Sequence, residues 1–408
     1  MKYVIIIPDG AADYRLDELN GRTPFEVADI PHIDRLAVSG RQGTVTTTPQ
    51  GMSCGSDVCT MCLLGYDPTR FHTGRAPLEA AALGIDMTET DWAFRANFVT
   101  ITDGRMRDHS AGHIADEEAH RLLADFTASV RLPEMSLLPG VSYRNILIDQ
   151  SGQAGNGRDY SELLTTGPHD IPGEPIRKHL PVGGEYADLI QGIIDDSGRL
   201  FEHHEINLMR REMAEPPVTH LWPWGQGKRP AIPRFDTRFG LQGAMITAVD
   251  LLAGIGNLIG WDRLDVPGQT SYHDNDYVAT GQHGVAALAD YDIICLHIES
   301  PDEASHTADV ATKVAAIEAI DRYVVGPVHD ALESNNADWR LLLLPDHYTS
   351  VATRKHDPTP VPFLICGKQV RGVRQCPFTE ENANAADLHI THGHELMEYF
   401  LYSGLGSV

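Results

Sequence analysis

Short apolar runs that end abruptly in acids and imidazoles recur along this chain. Leu341-Leu342-Leu343-Leu344 meets Pro345-Asp346-His347, with His356 and Asp357 a little further on. Val4-Ile5-Ile6-Ile7 meets Pro8-Asp9-Gly10, and Ile293-Ile294-Cys295-Leu296-His297-Ile298 meets Glu299, with Asp302 and His306 beyond it. Runs of this length with little or no polar interruption predict strands buried on both faces, and an α/β sheet delivers its functional side chains at the carboxyl ends of such strands. Further strands are expected at Gly43–Thr48, Gly243–Ala248 and Phe363–Cys366.

Between these strands the pattern turns helical. Ile33, Leu36 and Ala37 share one helical face, Met61-Cys62-Leu63-Leu64 continues a helix opened near Ser56, and Val249 to Leu258 and Val314 to Leu332 each read as one amphipathic helix. Thr73–Ala81 is a loop entering a helix, and Phe94–Thr100 is a strand. From about Asn97 to Trp224 the character changes: polar loops lengthen, Gly-Pro connections appear, and helical patterns near Ile114–Phe126 and Tyr186–Ile194 mix with alternation at Tyr143–Ile148. This predicts an inserted α+β domain over 97–224, with 1–96 and 225–408 forming a discontinuous α/β domain.

Composition narrows the choice of partners. The chain has 57 acidic and 32 basic residues, a net charge of -25, and no dense Lys/Arg run. Nucleic acid and anionic membranes are therefore not expected partners. An anionic substrate needs local cations to overcome this field. The first apolar run meets Pro8-Asp9 too soon to hold a signal-peptide core, and no stretch approaches the ~20 apolar residues of a membrane span. Six cysteines in 408 residues are not a disulfide framework, so a reducing, cytoplasmic setting is expected. Cys59 and Cys62 form a C-x-x-C with Cys54 upstream, but no second pair completes a zinc site, and a helical, buried, structural role is expected for them.

The candidate chemistry lies at the strand ends. Asp302 and His306 are four apart, so on a helix they share a face and can chelate one cation. Gly55-Ser56-Asp57 opens a helix, where unpaired N–H groups and the dipole favour an anion; the alternative for Ser56 is a simple N-cap. Asp9, Ser56, Asp302, His306, Asp346, His347 and His356 all follow apolar runs.

This set and order resemble the alkaline phosphatase superfamily, and within it the archaeal-type cofactor-independent phosphoglycerate mutases. The resemblance rests on Pro8-Asp9-Gly10, Gly55-Ser56-Asp57-Val58, Leu63–Pro68, Thr73–Ala81, Phe94–Phe98, Gly167-Pro168-His169-Asp170, Asp302–His306, Asp346-His347, His356-Asp357 and Gly393–Met397. It implies an alkaline-phosphatase-like three-layer sandwich with an inserted domain. It also implies two divalent cations (Mn, Zn or Mg), one held by Asp302, His306 and His356, the other by Asp9, Ser56, Asp346 and His347. The implied reaction moves a phosphoryl group between the 3- and 2-hydroxyls of glycerate, a step of glycolysis, through a phosphoserine at Ser56.

The chain departs from the family where the family shows Asp-Arg-Arg-Ala-Gly-Arg. Here the segment is Asp108-His109-Ser110-Ala111-Gly112-His113, with all three arginines replaced. Arginine is the natural partner of a carboxylate or phosphate, so a metal-dependent phosphatase or another phosphotransferase acting on a different small phosphoester stands as the alternative. The expected substrate-binding residues are Arg95, Arg144, His169, Lys228 and Arg238.

Overall fold

The computed structural model describes residues 1–335 and 337–404 and contains two compact units, one formed by Met1–His72 with Ile232–Val408 and the other by Thr73–Ala231. The first is built on an eight-stranded sheet in the order His389–Ile390, Arg41–Val45, Val361–Gly367, Trp339–Leu343, Lys2–Pro8, Ile293–Ile298, Gly243–Ile246, Asp262–Arg263. Lys2–Pro8 sits near the middle, parallel to Ile293–Ile298 on one side and to Trp339–Leu343 on the other. Val4–Ile7, Ile293–Leu296 and Leu341–Leu344 are fully buried, which is why their sequences carry no polar break. Val361–Gly367 runs antiparallel to both its neighbours, so Arg41–Val45 again points the same way as Lys2–Pro8. Four strands thus leave the sheet at one edge and lead to Ser56, Asp9, Asp302 and Asp346.

The second unit has its own five-stranded antiparallel sheet around Trp92–Thr102, with Arg144–Asp149 on one side, His220–Lys228 on the other, and Met135–Pro139 and Arg105–Asp108 completing it. Helices Asp116–Ser129 and Ala187–Phe201 supply Leu122, Phe126, Ile190 and Phe201 to a core with Phe94 and Phe98. This unit is wider at both ends than the expected 97–224. Helix Arg75–Ala82 packs on Trp92–Thr102 and His220–Lys228, so residues assigned by pattern to the first domain belong by packing to the second.

The helix expected over Val314–Leu332 is three segments: Val310–Ile320, a π-helical turn Asp321–Val325, and Gly326–Ser334. The wide turn contains Asp321, whose buried carboxylate accepts hydrogen bonds from the backbone N–H groups of His32 and Ile33. All six cysteines are free, and Cys59 and Cys62 are buried in helix Ser56–Leu63. Among the described residues no helix is long and apolar enough to cross a membrane.

Candidate active site

All seven residues singled out at strand ends meet in the first unit. Asp9 and Asp346 follow adjacent parallel strands, and both are fully buried. Asp346 Oδ1 accepts from the backbone N–H groups of Gly10 at 3.2 Å and His347 at 2.9 Å, which fixes the carboxylate and turns Oδ2 inward. His347 Nε2 stands 3.2 Å from that Oδ2, 3.5 Å from Asp9 Oδ1, and 3.2 Å from Ser56 Oγ. Gly10 has φ +59°, and a Cβ there would come within 2.5 Å of Asp302 Oδ1 and Thr349 Oγ1, so only glycine lets the Asp9 turn close against them.

Ser56 is the first residue of helix Ser56–Leu63, with Gly55 at the cap position and no side-chain capping bond. The N-cap alternative therefore fails. The hydroxyl faces His347 instead.

The second cluster gathers on Asp302, which occupies helix Ser300–His306. Its Oδ2 lies 3.1 Å from His306 Nε2 and its Oδ1 3.3 Å from His356 Nε2. His306 Nδ1 is 3.0 Å from the Arg354 carbonyl and His356 Nδ1 is 3.3 Å from the Cys54 carbonyl. A carbonyl only accepts, so both rings carry a proton on Nδ1, and each Nε2 is turned inward toward Asp302, donating to it when protonated and offering a lone pair to a cation when not. The two Nε2 atoms are nevertheless 2.9 Å apart. Two ring nitrogens at that distance beside one buried carboxylate call for a positive charge there, a proton or a cation. His347 stacks on His356 at 3.9 Å between ring centroids and falls within reach of both clusters: Asp302, His347 and His356 form one group able to hold a metal ion, and Asp9, Asp346 and His347 another.

Electrostatics show the same demand for cations. Burial, then the carboxylates of Asp346 and Asp302, hold the Asp9 carboxyl well above its ordinary range. Burial would raise Asp302 too, but hydrogen bonds from His306 and His356 outweigh it and hold that carboxyl well below. Burial lowers His356, yet Asp302 overrides it and lifts the imidazole to about 9. Asp9 Oδ1 and Asp346 Oδ2 are buried without any hydrogen-bond partner. Buried carboxylate oxygens are rarely left in that state, and a set of carboxylate oxygens and imidazole nitrogens without thiolate suits a divalent cation such as Mn, Zn or Mg.

Two site residues were not singled out from the sequence. His297 donates from Nε2 to Asp9 Oδ2 at 2.8 Å, and its Nδ1 lies 3.2 Å from the Thr247 hydroxyl, so it orients Asp9 from behind. Glu299 keeps a buried, unpartnered Oε2 and with Asp9 and His297 forms a third ligand-like group. Glu299 directly follows a buried strand, the same signal that identified Asp9.

The residues expected to bind substrate are placed less uniformly. In the second unit, Arg95 is buried, pairs with Glu79 at 2.9 Å and lies over the Trp224 ring at 4.3 Å. His169 meets the same Trp224 edge-on at 5.0 Å, and Arg144 lies over the Tyr143 ring. His109, at one of the replaced arginine positions, reaches both Tyr143 and His169. Burial lowers His169, Asp170 opposes that, and the cations Arg95, Arg75 and His109 lower it further, as expected where positive charge is crowded. Lys228 lies apart, over Trp92. Arg238 belongs to the first unit, where it donates to the Gly65 carbonyl and to Glu398 and lines a cavity of about 460 Å³ with Asp67, Arg70 and His394.

Known proteins share this sequence and architecture. A family model described as 2,3-bisphosphoglycerate-independent phosphoglycerate mutase matches residues 37–207. The chain is 42% identical to 2,3-bisphosphoglycerate-independent phosphoglycerate mutase 2 of Methanothermobacter thermautotrophicus, over 98% of this chain and 97% of that protein. It is 43% identical to the 2,3-bisphosphoglycerate-independent phosphoglycerate mutase of Methanothrix thermoacetophila, over 98% of this chain and 100% of that protein. Among solved structures, a protein from Pyrococcus horikoshii superposes with a TM-score of 0.81 at 26% identity, covering 98% of this chain and 96% of that one. The cofactor-independent phosphoglycerate mutase of Thermoplasma acidophilum does so with a TM-score of 0.67 at 25% identity, covering 98% and 99%.

Proposed function

Because this chain belongs to the 2,3-bisphosphoglycerate-independent phosphoglycerate mutase family, we propose that it interconverts 3-phosphoglycerate and 2-phosphoglycerate, with Ser56 carrying the phosphoryl group between the two hydroxyls. The observation that supports this most is the position of Ser56. Its hydroxyl stands at a helix N-terminus, 3.2 Å from an imidazole nitrogen that also faces the unpartnered oxygens of two buried carboxylates.

In this reading Asp302, His306 and His356 hold one divalent cation, and Asp9, Ser56, Asp346 and His347 hold the other. Such a pair, when bound, neutralises phosphoryl oxygens and lowers the pKa of the serine hydroxyl. The chain's own groups do the rest. The Ser56 helix turns backbone N–H groups and the positive end of its dipole toward an anion. His297 holds Asp9 in place, and the Gly10 and His347 amides hold Asp346.

The glycerate must stay enclosed while it reorients, because water reaching the phosphoserine would hydrolyse it. Arg95, Arg144 and His169, gathered around Trp224 and Tyr143, are the proposed grip on its carboxylate; Lys228 and Arg238, placed apart, have less support. The His109, Ser110 and His113 substitutions favour a second reading, a phosphatase on the same core. One experiment separates them: incubate metal-loaded protein with 3-phosphoglycerate and measure isomer and free phosphate together. Isomer in large excess is expected; phosphate alone, or neither product, refutes the mutase. Ser56→Ala should lower turnover on the order of 10⁴-fold or more while the protein still binds metal.

A further inference from the structure

The two clusters share one side chain that is itself in neither ligand set. Thr349, fully buried, lies two residues beyond His347 in the strand Tyr348–Ser350. Its hydroxyl donates to Asp302 Oδ1 at 2.5 Å and lies 3.0 Å from His347 Nδ1. A hydroxyl has one proton. Once that proton is given to Asp302, the oxygen can only accept from His347, so the imidazole must carry its proton on Nδ1. The Nε2 lone pair is thereby left facing Asp9, Asp346 and Ser56, which is the tautomer a cation requires.

The backbone of Thr349 is held as firmly as its side chain. Its carbonyl accepts from Lys313 Nζ at 2.8 Å, and Lys313 is a fully buried ammonium paired with Asp13 at 3.0 Å. Asp13 Oδ2 also accepts from the Val351 N–H at 3.0 Å. A buried ion pair thus fixes the segment on both sides of Ser350. Rotation of the Thr349 hydroxyl away from Asp302 would cost both partners at once.

We propose that Thr349 is a positioning residue that couples the two cation clusters, orienting Asp302 in one and setting the His347 tautomer in the other through a single hydroxyl. This rests on the two-cation reading above. Loss of the hydroxyl should therefore weaken both binding steps, whereas loss of a residue serving one cluster should weaken one.

The test is titration of the metal-free protein with Co²⁺, read by calorimetry and by the visible absorption of the bound ion, for the wild type, Thr349→Val, Thr349→Ala and Thr349→Ser. Val keeps the shape and removes the hydroxyl, Ala removes both, and Ser keeps the hydroxyl. Weakening of both Co²⁺ equivalents by about tenfold to a hundredfold in Val and Ala, with an altered absorption band and rescue in Ser, is expected. If Val does not fold, the Ala and Ser pair reads the same hydroxyl. Two equivalents bound with wild-type affinity in Ala or Val, or weakening confined to one equivalent, overturns the coupling role. A wild type that takes up fewer than two Co²⁺ refutes the two-cation reading instead.

Discussion

In the unit formed by Thr73–Ala231, the buried carboxylate of Asp149 is fully employed. Its Oδ2 accepts from the Tyr160 hydroxyl at 2.5 Å and from Arg158 at 2.9 Å, and its Oδ1 accepts from the Ser151 N–H at 2.8 Å. Asn207 is used in the same way, bonded to the carbonyls of Phe201 and Val218 and to the Val218 N–H. In the other unit, Asp9, Asp346 and Glu299 each bury a carboxylate oxygen with no partner, and among the described residues these are the only carboxylate oxygens so placed. An unsatisfied buried acceptor costs roughly 1–3 kcal/mol, more when charged. The first unit bears that cost with three carboxylates at one edge of its sheet; in the second unit the buried polar atoms without a partner, Asn145 Oδ1, Trp92 Nε1 and Arg95 Nε, include no carboxylate. Asp149 in the second unit is part of the framework; at the first unit's sheet edge three carboxylates each keep an oxygen free, as the proposed cation clusters require.

The sharpest way to break this contrast is Asp9→Asn. An amide in place of the carboxylate keeps an acceptor for His297 and offers an N–H to the imidazole or carboxylate beside it. The variant should lose uptake at the Ser56 cluster and at least about 10³-fold in turnover. Its metal-free form should nevertheless unfold at higher denaturant, by about 1–3 kcal/mol, because a buried carboxylate oxygen without a partner is gone. Equilibrium unfolding with and without chelator checks both halves. A less stable metal-free variant would mean that Asp9 is part of the framework rather than a strained ligand.

The same contrast explains what could be read from the sequence. A buried strand announces itself by an unbroken apolar run, and its carboxyl end is one fixed position, so Asp9, Asp302, Asp346 and His347 were each visible locally. Glu299 obeys that rule too, directly after Ile298 and three residues before Asp302. Thr349 gave no signal: a hydroxyl two residues past a ligand has no pattern, and its importance comes from Asp302, which is remote in sequence. Helix Arg75–Ala82 has the same apolar face whichever sheet it covers, so the unit boundary near Thr73 could not be placed from periodicity. In the second unit the cations around Trp224 and Tyr143 come from several strands and turns. In sequence Arg144 and His169 are isolated charges, and only the fold brings them to the neighbouring rings Tyr143 and Trp224, while Lys228 lies over Trp92 and Arg238 belongs to the other unit.

A smaller effect, on partition rather than chemistry, is expected from Arg144→Met. Arg144 is exposed, begins the strand Arg144–Asp149 and lies over Tyr143, so its loss should leave stability within about 0.5 kcal/mol. Metal content should not change. KM for 3-phosphoglycerate should rise about tenfold, or roughly 1.4 kcal/mol of binding, and the ratio of isomer to free phosphate should fall. An unchanged ratio would remove Arg144 from the glycerate grip and leave it to Arg95 and His169.

The smallest effect is Tyr160→Phe, and it tests the other side of the comparison. The Tyr160 hydroxyl is buried against Asp149, and burial first, then that carboxylate, raise its pKa, so it stays protonated and donates. Removing it takes one of three hydrogen bonds from Asp149 but leaves Arg158 and the Ser151 amide in place, so the carboxylate stays paired. The cost should be about 1–2 kcal/mol, nearer to a single charge-assisted hydrogen bond than to an orphaned charge. The ring remains packed on Trp92 and Phe94, which limits any cavity. Turnover and metal affinity should stay within about twofold of wild type. A change in metal affinity would show that the polar framework of the second unit reaches the cation clusters, and the division between structural and functional polarity would no longer follow the division between the units.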